Sequence, residues 1–259
     1  MPLISLFFSF QENSMVIMLA YVRVGTVFLL LPLLGGRILS HLIVKNMVIL
    51  ITLIGIWPDI QPIPDRDQGW VVLIARECVT GLMLAMILSL PFWIASAIGE
   101  VIDNQRGATI SDSIDPVNGL QSTTMSSFLS FSFGAIFMAQ GGMVLLMNAL
   151  VQSYRVFPSG SSLLGAHWNV AGKLAHLLLE NSLILAAPTL ITLMLSEIIL
   201  GVFSRYCPQL NPFSLSLSLK SFIAFTIFMI YGFGAMSAPL MRLFTLTPFY
   251  QFIRPAVGG

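Results

Sequence analysis

An all-α membrane protein with about six apolar helical segments is the fold class this 259-residue sequence predicts. Three observations carry that prediction. Hydrophobic residues make up 56% of the chain and charged residues only 9%, where a soluble domain carries about 25% charged residues. The mean hydropathy is +0.90, too apolar for a water-facing globule of this length. The apolar residues also cluster into long runs separated by short polar, Pro- and Gly-rich stretches.

The runs fall at about 15–34, 42–57, 70–99, 128–151, 181–203 and 217–240. Each is close to the length that spans an apolar core of about 30 Å as helix. The second is short. The third is too long for one straight span, and Pro91 inside it is expected to kink or end the helix, because proline lacks an N–H and crowds the preceding turn. Pro58–Gly69 reads as a turn region. Tyr154–His176 reads as a Pro-Ser-Gly-Ser-Ser break followed by an amphipathic piece. No repeat and no separate soluble domain is visible. The N-terminus has neither a basic region nor a small-residue cleavage site, so no removable signal peptide is read.

The net charge of +1 argues against a nucleic-acid partner. Cys78 and Cys207 lie far apart in or beside apolar runs and read as buried reduced thiols. Arg37, Lys45, Arg106, Arg205 and Lys220 should lie on one side of a membrane and Arg66, Arg155, Lys173, Arg242 and Arg254 on the other. This even split leaves orientation undecided. It suggests that not every run is a simple lipid-facing span. Small residues recur at four-residue spacing in Gly81/Ala85, Ala135/Ala139 and Gly234/Ala238, a pattern that lets helix backbones approach closely.

Arg23, Lys45, Arg76, Glu77 and Glu197 fall within or at the edge of apolar runs. A central charge costs at least about 2.5–3.5 kcal/mol on insertion scales, so each should face a partner, a subunit or water. Arg76 and Glu77 are adjacent and point about 100° apart on a helix, whereas Arg23 and Glu197 form a plausible pair. A register-fixing ion pair is favoured over a proton relay. No HExxH, Walker or GxSxG motif occurs. His41, His167 and His176 are scattered and make a poor metal set. Asp112 and Asp115 resemble half of a membrane transferase's aspartate motif, but their Gly, Ser and Asn neighbours read first as turn residues. No cofactor is expected, and the chain reads as a non-enzyme.

The polar insert DNQRGATISDSIDPVNGLQSTT, Asp103–Thr124, is the long exception to the apolar plan. Its first residues can prolong the third run as a polar helical end. Gly107 can stop that helix, and the residue before Pro116 is biased away from helix. Irregular backbone of this kind is forbidden in lipid but tolerated in water, within protein or along a wet cavity. From these residues alone it reads first as a solvated loop.

The sequence resembles the inner-membrane export-apparatus proteins of type III secretion systems, the T/R subunit family with flagellar and injectisome members. The resemblance rests on SRYCPQLNPFSLSLSLK with Arg205, Pro208, Gln209, Asn211 and Lys220, and on Gly99 through Pro116 with Gln105, Gly107 and the Asp115-Pro116 step. It rests also on YVRVGTVFLLLPLLGGRILSHLIVKN with Arg23, Pro32 and Lys45. Two departures favour an injectisome: Pro212 follows Asn211 where relatives often carry Val, and Ala-Thr-Ile-Ser follows Gly107 without the aromatic of flagellar members.

The resemblance implies one export-apparatus domain over residues 1–259 in the bacterial inner membrane, within the secretion-system base. It implies partners among the small hydrophobic R- and S-type subunits, the U-type switch protein and the large V-type gate protein, with membrane lipid around the assembly and unfolded secreted polypeptides in transit. It makes 103–124 a plug-like gate loop carrying Gln105, Gly107, Ser111, Asp112, Asp115, Pro116 and Asn118. Arg205, Pro208, Gln209, Asn211 and Lys220 would shape a bend that packs on neighbouring subunits, and the aromatic-rich tail would meet a partner or the membrane interface. The rival expectations are a free-standing transporter or channel using Arg23 and Glu197, and a metal-dependent transferase using Asp112 and Asp115.

Overall fold

A computed structural model describes residues 2–34, 41–57, 60, 69–107, 124–159, 169–206, 212–244, 247 and 250. Among these residues the chain is helical and contains no strand. The helices are α1 (Pro2–Leu30), α2 (Leu42–Ile56), α3 (Trp70–Arg106), α4 (Thr124–Ala139), α5 (Gly142–Val156), α6 (Asn169–Tyr206), α7 (Pro212–Ile227) and α8 (Phe233–Leu243). A short 3-10 turn, Pro32–Leu34, follows α1, and a π-helical turn, Phe228–Gly232, joins α7 to α8.

Among the described residues α3 and α6, of 37 and 38 residues, are long and apolar enough to cross a membrane, and the number of candidate spans there rises to four if α4–α5 and α7–α8 each count as one broken span. At 1.5 Å per residue α3 and α6 are about 55 and 57 Å long, well beyond a hydrocarbon core of about 30 Å. α2, with 15 residues, reaches only about 22 Å as helix. Both long helices run through an internal proline, Pro91 in α3 and Pro188 in α6. Of the two expectations for Pro91, a kink or an end, the end is corrected, since α3 continues through it. One missing backbone bond is tolerated because its neighbours on the ladder hold the helix. Cys78 of the same helix, expected to be buried, is exposed.

The run expected over 128–151 is two helices. α4 ends at Ala139 and α5 starts at Gly142, with Gly141 at φ 76° between them. That left-handed conformation favours glycine because it has no Cβ. The Phe137 ring lies against Gly142, where a side chain would collide with it. Pro212 opens α7 at the first helical position, where its missing N–H would have had no helical partner anyway. The Leu-Ser alternation of 214–219 lies inside this helix, which bends by 62° into α8.

The chain forms two compact units, residues 1–90, 137–174 and 244–259 in one and residues 91–136 and 175–243 in the other. In the first unit α1 packs on α2 and α2 on α5. The buried side of α1 runs through Ala20, Val24 and Val27 at helical spacing and is continued by Leu31 just past its end. Tyr21 donates to Asn46 Oδ1 at 3.0 Å, fixing α1 to α2. In the second unit Phe92 of α3 meets the edge of Phe133 of α4 with ring centres 5.0 Å apart. Half of the most apolar stretch of α3 is buried, against 22% of that of α6. Leu183, Ile184, Ile191, Met194, Leu195 and Ile198 of α6 are all more than half exposed. An apolar face of that extent is not a water-facing surface.

Candidate functional site

Three polar junctions stand out in this apolar chain, and each is built on a charge that the sequence places in or beside an apolar run. The first is the base of the polar insert. Asp103 lies in the last turns of α3 and is fully buried. Its Oδ2 accepts the backbone N–H groups of Met125 at 2.9 Å and Ser126 at 3.3 Å. These belong to the first turn of α4, whose N–H groups have no partner within the helix. Its Oδ1 accepts Arg106 Nε at 2.7 Å and Nη2 at 2.6 Å. Arg106 Nη1 donates to Ser221 Oγ of α7 at 3.1 Å, and the guanidinium lies 5.7 Å from the Phe225 ring centre. Phe225 in turn meets the edge of Phe128 of α4 at 6.3 Å.

Gly99 makes this junction possible. A Cβ there would overlap the Ser126 backbone, so only glycine lets α3 and the start of α4 come this close. Ser126 Oγ donates to Glu100 Oε1 at 3.4 Å beside it. Gly107 follows α3 with φ 82°, its N–H bonded to Asn104 O at 3.1 Å. Gln105 is half-buried in the last turn of α3. Ser111, Asp112, Asp115, Pro116 and Asn118 lie outside the described residues, as do Pro208, Gln209 and Asn211.

The second junction surrounds Arg23, fully buried in α1. Its Nε donates to Glu77 Oε2 at 2.7 Å and its Nη2 to Glu77 Oε1 at 3.1 Å, a two-point contact with α3. Nη1 reaches the end of α5, donating to the carbonyls of Phe157 at 2.9 Å and Ser153 at 3.4 Å. The guanidinium lies 4.2 Å from the Tyr154 ring centre, and Tyr154 donates its hydroxyl to Ala20 O at 3.2 Å. One cation therefore binds three helices and sits at the negative end of α5. Gly81, one turn after Glu77, meets α1 so closely that a Cβ would fall 2.8 Å from Arg23 O. Of the three small-residue pairs, this glycine makes an intramolecular close approach, whereas Gly234 has open space beside it.

The third junction joins α6 to α7. Lys220 Nζ lies 3.0 Å from Glu197 Oε1, with the lysine side chain 10% and the glutamate side chain 59% exposed. The expected pairing of Arg23 with Glu197 is thus corrected. Arg23 takes Glu77 and Glu197 takes Lys220. A bidentate carboxylate, two carbonyls and an aromatic face meet the guanidinium's planar fork in a single place, which Glu197 could not match. Lys45 is half-buried in the first turn of α2, and Arg205 is exposed in the last turn of α6. Among the described residues no group of three His, Cys, Asp or Glu side chains could hold a metal ion.

Sequence reasoning counted Asp103 only as the start of the insert. Its capping role had no local signal, since its acceptors serve donors 22 and 23 residues away. The Asp103–Arg106 spacing of one helical turn was the readable part.

The family described as bacterial export proteins, family 1, matches residues 14–246. The chain is 36% identical over 234 residues to the surface presentation of antigens protein SpaR of Salmonella typhimurium, covering 87% of this chain and 86% of that one. It is 30% identical over 217 residues to the Yop proteins translocation protein T of Yersinia pestis, covering 81% and 83%. To the flagellar biosynthetic protein FliR of Bacillus subtilis it is 25% identical over 238 residues, covering 89% and 90%. Identity is higher to the two non-flagellar proteins than to the flagellar one, which agrees with the departures at Pro212 and after Gly107. With its long apolar helices and this match along most of its length, the chain is a membrane-embedded member of bacterial export protein family 1, the T/R subunits of the type III secretion export apparatus, on the injectisome side.

Proposed function

We propose that this chain helps form and close the channel through which unfolded proteins are secreted, with the insert after α3 as the gate loop. The observation that carries this reading is the Asp103 junction. The insert leaves α3 and returns to α4 at a base held together by one buried carboxylate. A polar, Gly- and Pro-containing segment inserted between two apolar helices is excluded from lipid. Tying its ends together gives it a fixed point of attachment. Gly107, Ser111, Asp112, Asp115, Pro116 and Asn118 would belong to this loop, with Gln105 in the last turn of α3 that leads into it.

The apolar faces of α2 and α6 support a place among other subunits and lipid. The partners would be the R- and S-type hydrophobic subunits, the U-type switch protein and the V-type gate protein, in a multi-pass setting in the inner membrane. Arg205, Pro208, Gln209, Asn211 and Lys220 would form the bend that packs on them. The role is structural rather than catalytic. A free-standing transporter built on Arg23 and Glu197 draws no support from their geometry, because each is bound to a different partner.

The test is deletion of Gly107–Asn118 in the complete apparatus. Assembled complex is expected to persist while cells leak ions or small solutes. Cysteines introduced by Ser111→Cys or Ser113→Cys should react with a thiol reagent faster when a secreted chain is stalled in transit. Tight membranes and unchanged labelling in assembled complexes would make the insert only a solvated connection.

A further inference from the structure

The outer side of α6 sets a carboxylate among apolar side chains. Met194, Leu195, Ile198, Ile199 and Val202 are each more than half exposed, and the Glu197 side chain among them is 59% exposed. Lys220 of α7 brings one ammonium to Glu197 Oε1 at 3.0 Å. A carboxylate offers about four lone-pair sites, so this one keeps acceptor capacity to spare. Gly201 stands one turn further along the same side of the helix. It is exposed, and a Cβ built on it would meet nothing within 4 Å among the described residues.

The chain uses this spacing elsewhere. In α3, Glu77 and Gly81 are also four residues apart. There α1 closes on Gly81 until a Cβ would fall 2.8 Å from Arg23 O, and Arg23 donates to Glu77. A glycine one turn from a carboxylate thus lets a second helix come near enough to bond that carboxylate. On α6 the same carboxylate and glycine spacing faces outward.

We propose that α6 docks an apolar helix of another subunit of the export apparatus, one that crosses at Gly201 and brings a neutral hydrogen-bond donor, a hydroxyl or an amide, to Glu197. The proposal rests on the chain's place among other subunits and adds the residues and the partner chemistry. The donor is neutral because Lys220 already balances the Glu197 charge, and a second cation would leave an unbalanced charge in an apolar contact. Lipid is the poorer occupant. In the apolar run over 181–203, Glu197 stands six residues, or about 9 Å, inside the nearer end. Hydrocarbon offers no donor to a carboxylate held at that depth.

The experiment uses the complete apparatus and reads the ratio of assembled to unassembled chain in the membrane. Gly201→Leu should lower that ratio about tenfold, because its side chain overfills the crossing, while Gly201→Ala should leave it nearly unchanged. The second comparison is made in a Lys220→Met background, which removes the balancing cation. There Glu197→Gln should assemble about tenfold better than Glu197→Leu, since the amide oxygen still accepts from the partner and leucine leaves that donor buried without an acceptor. A benzophenone side chain in place of Ile198, an exposed position, should form its adduct with an apolar segment of another subunit. That segment should carry Ser, Thr, Asn or Gln within one helical turn of the adduct.

If lipid covers the face, the order reverses. Glu197→Leu then assembles at least as well as Glu197→Gln, Gly201→Leu is harmless, and the adduct at 198 is with lipid. Any of these results overturns the proposal, and so does an adduct confined to this chain or to a segment without a donor. All of them leave the chain's place among other subunits standing while the unaltered chain co-purifies with the apparatus. Failure of that co-purification refutes the subunit reading itself.

Discussion

Replacing Arg23 should damage this protein more than replacing any other charged residue described. Arg23→Ala removes four hydrogen bonds, two to Glu77 and two to the carbonyls at the end of α5. It leaves the Glu77 carboxylate buried without its cation. Removing one partner of a buried ion pair costs about 3–5 kcal/mol, and the lost contact with the Tyr154 ring adds about 0.5–2 kcal/mol. Against a total stability of about 5–15 kcal/mol, that is roughly a quarter or more. Arg23→Met with Glu77→Leu should cost far less than the two single changes together, because neither charge is left alone. A coupling of at least about 2 kcal/mol is expected from residues in one buried network.

The assay is denaturant or thermal unfolding of the purified complex in detergent, read beside the amount of complex assembled in the membrane. Losses that add to within about 0.5 kcal/mol would refute the pairing. Normal assembly with secretion lost would refute the structural role and favour a proton relay. Arg23→Ala and Glu197→Ala, by contrast, should be additive, since each residue has its own partner.

The remaining predictions concern the third junction and the close approach of α1 and α3. Lys220→Met, which keeps the buried stem of the lysine, should cost less than about 1 kcal/mol in the same unfolding assay wherever solvent reaches the pair, because the Glu197 carboxylate it leaves behind is mostly exposed and a pair that solvent reaches contributes little. A larger loss would mean that a subunit or lipid buries the pair in the assembled apparatus. Gly81→Val should lower complex assembly sharply, because its side chain would enter the α1 backbone at Arg23, and Gly81→Ala should do so less. Normal assembly of Gly81→Val would show that the helices can separate without loss.

The helical, membrane-type fold was legible because it depends on composition and run length, which are properties of a sequence read in one dimension. The break at Gly141–Gly142 was visible as adjacent glycines, yet the apolar run reads straight through it, since hydropathy carries no direction. The continuation of α3 through Pro91 was less legible, because proline's penalty depends on whether the surrounding ladder holds. Arg23 was recognised as a charge needing a partner, but which partner is a matter of helix packing. The readable clue was Gly81 one turn after Glu77. A small residue beside a buried carboxylate marks where another backbone comes close enough to deliver a cation.

The two fully buried charge centres among the described residues share a physical reason for existing. In water, the free N–H and C=O groups at helix ends are satisfied by solvent, but inside an apolar assembly they need protein partners. Arg23 supplies donors to the carbonyls that end α5, and Asp103 supplies acceptors to the N–H groups that begin α4. Each has the sign that the helix dipole favours at that end. Each is also balanced by an opposite charge from the same unit, Glu77 for Arg23 and Arg106 for Asp103. Arg23 and Asp103 thus stand where backbone polarity would otherwise be stranded. On this account the charge and the helix end it serves should fail together. Arg23→Lys, which keeps the charge but loses the planar fork, should fray the last turn of α5, read as faster amide exchange there, even where the contact with Glu77 survives. Unchanged exchange at that turn would separate the two roles and leave Arg23 as an ion-pair residue alone.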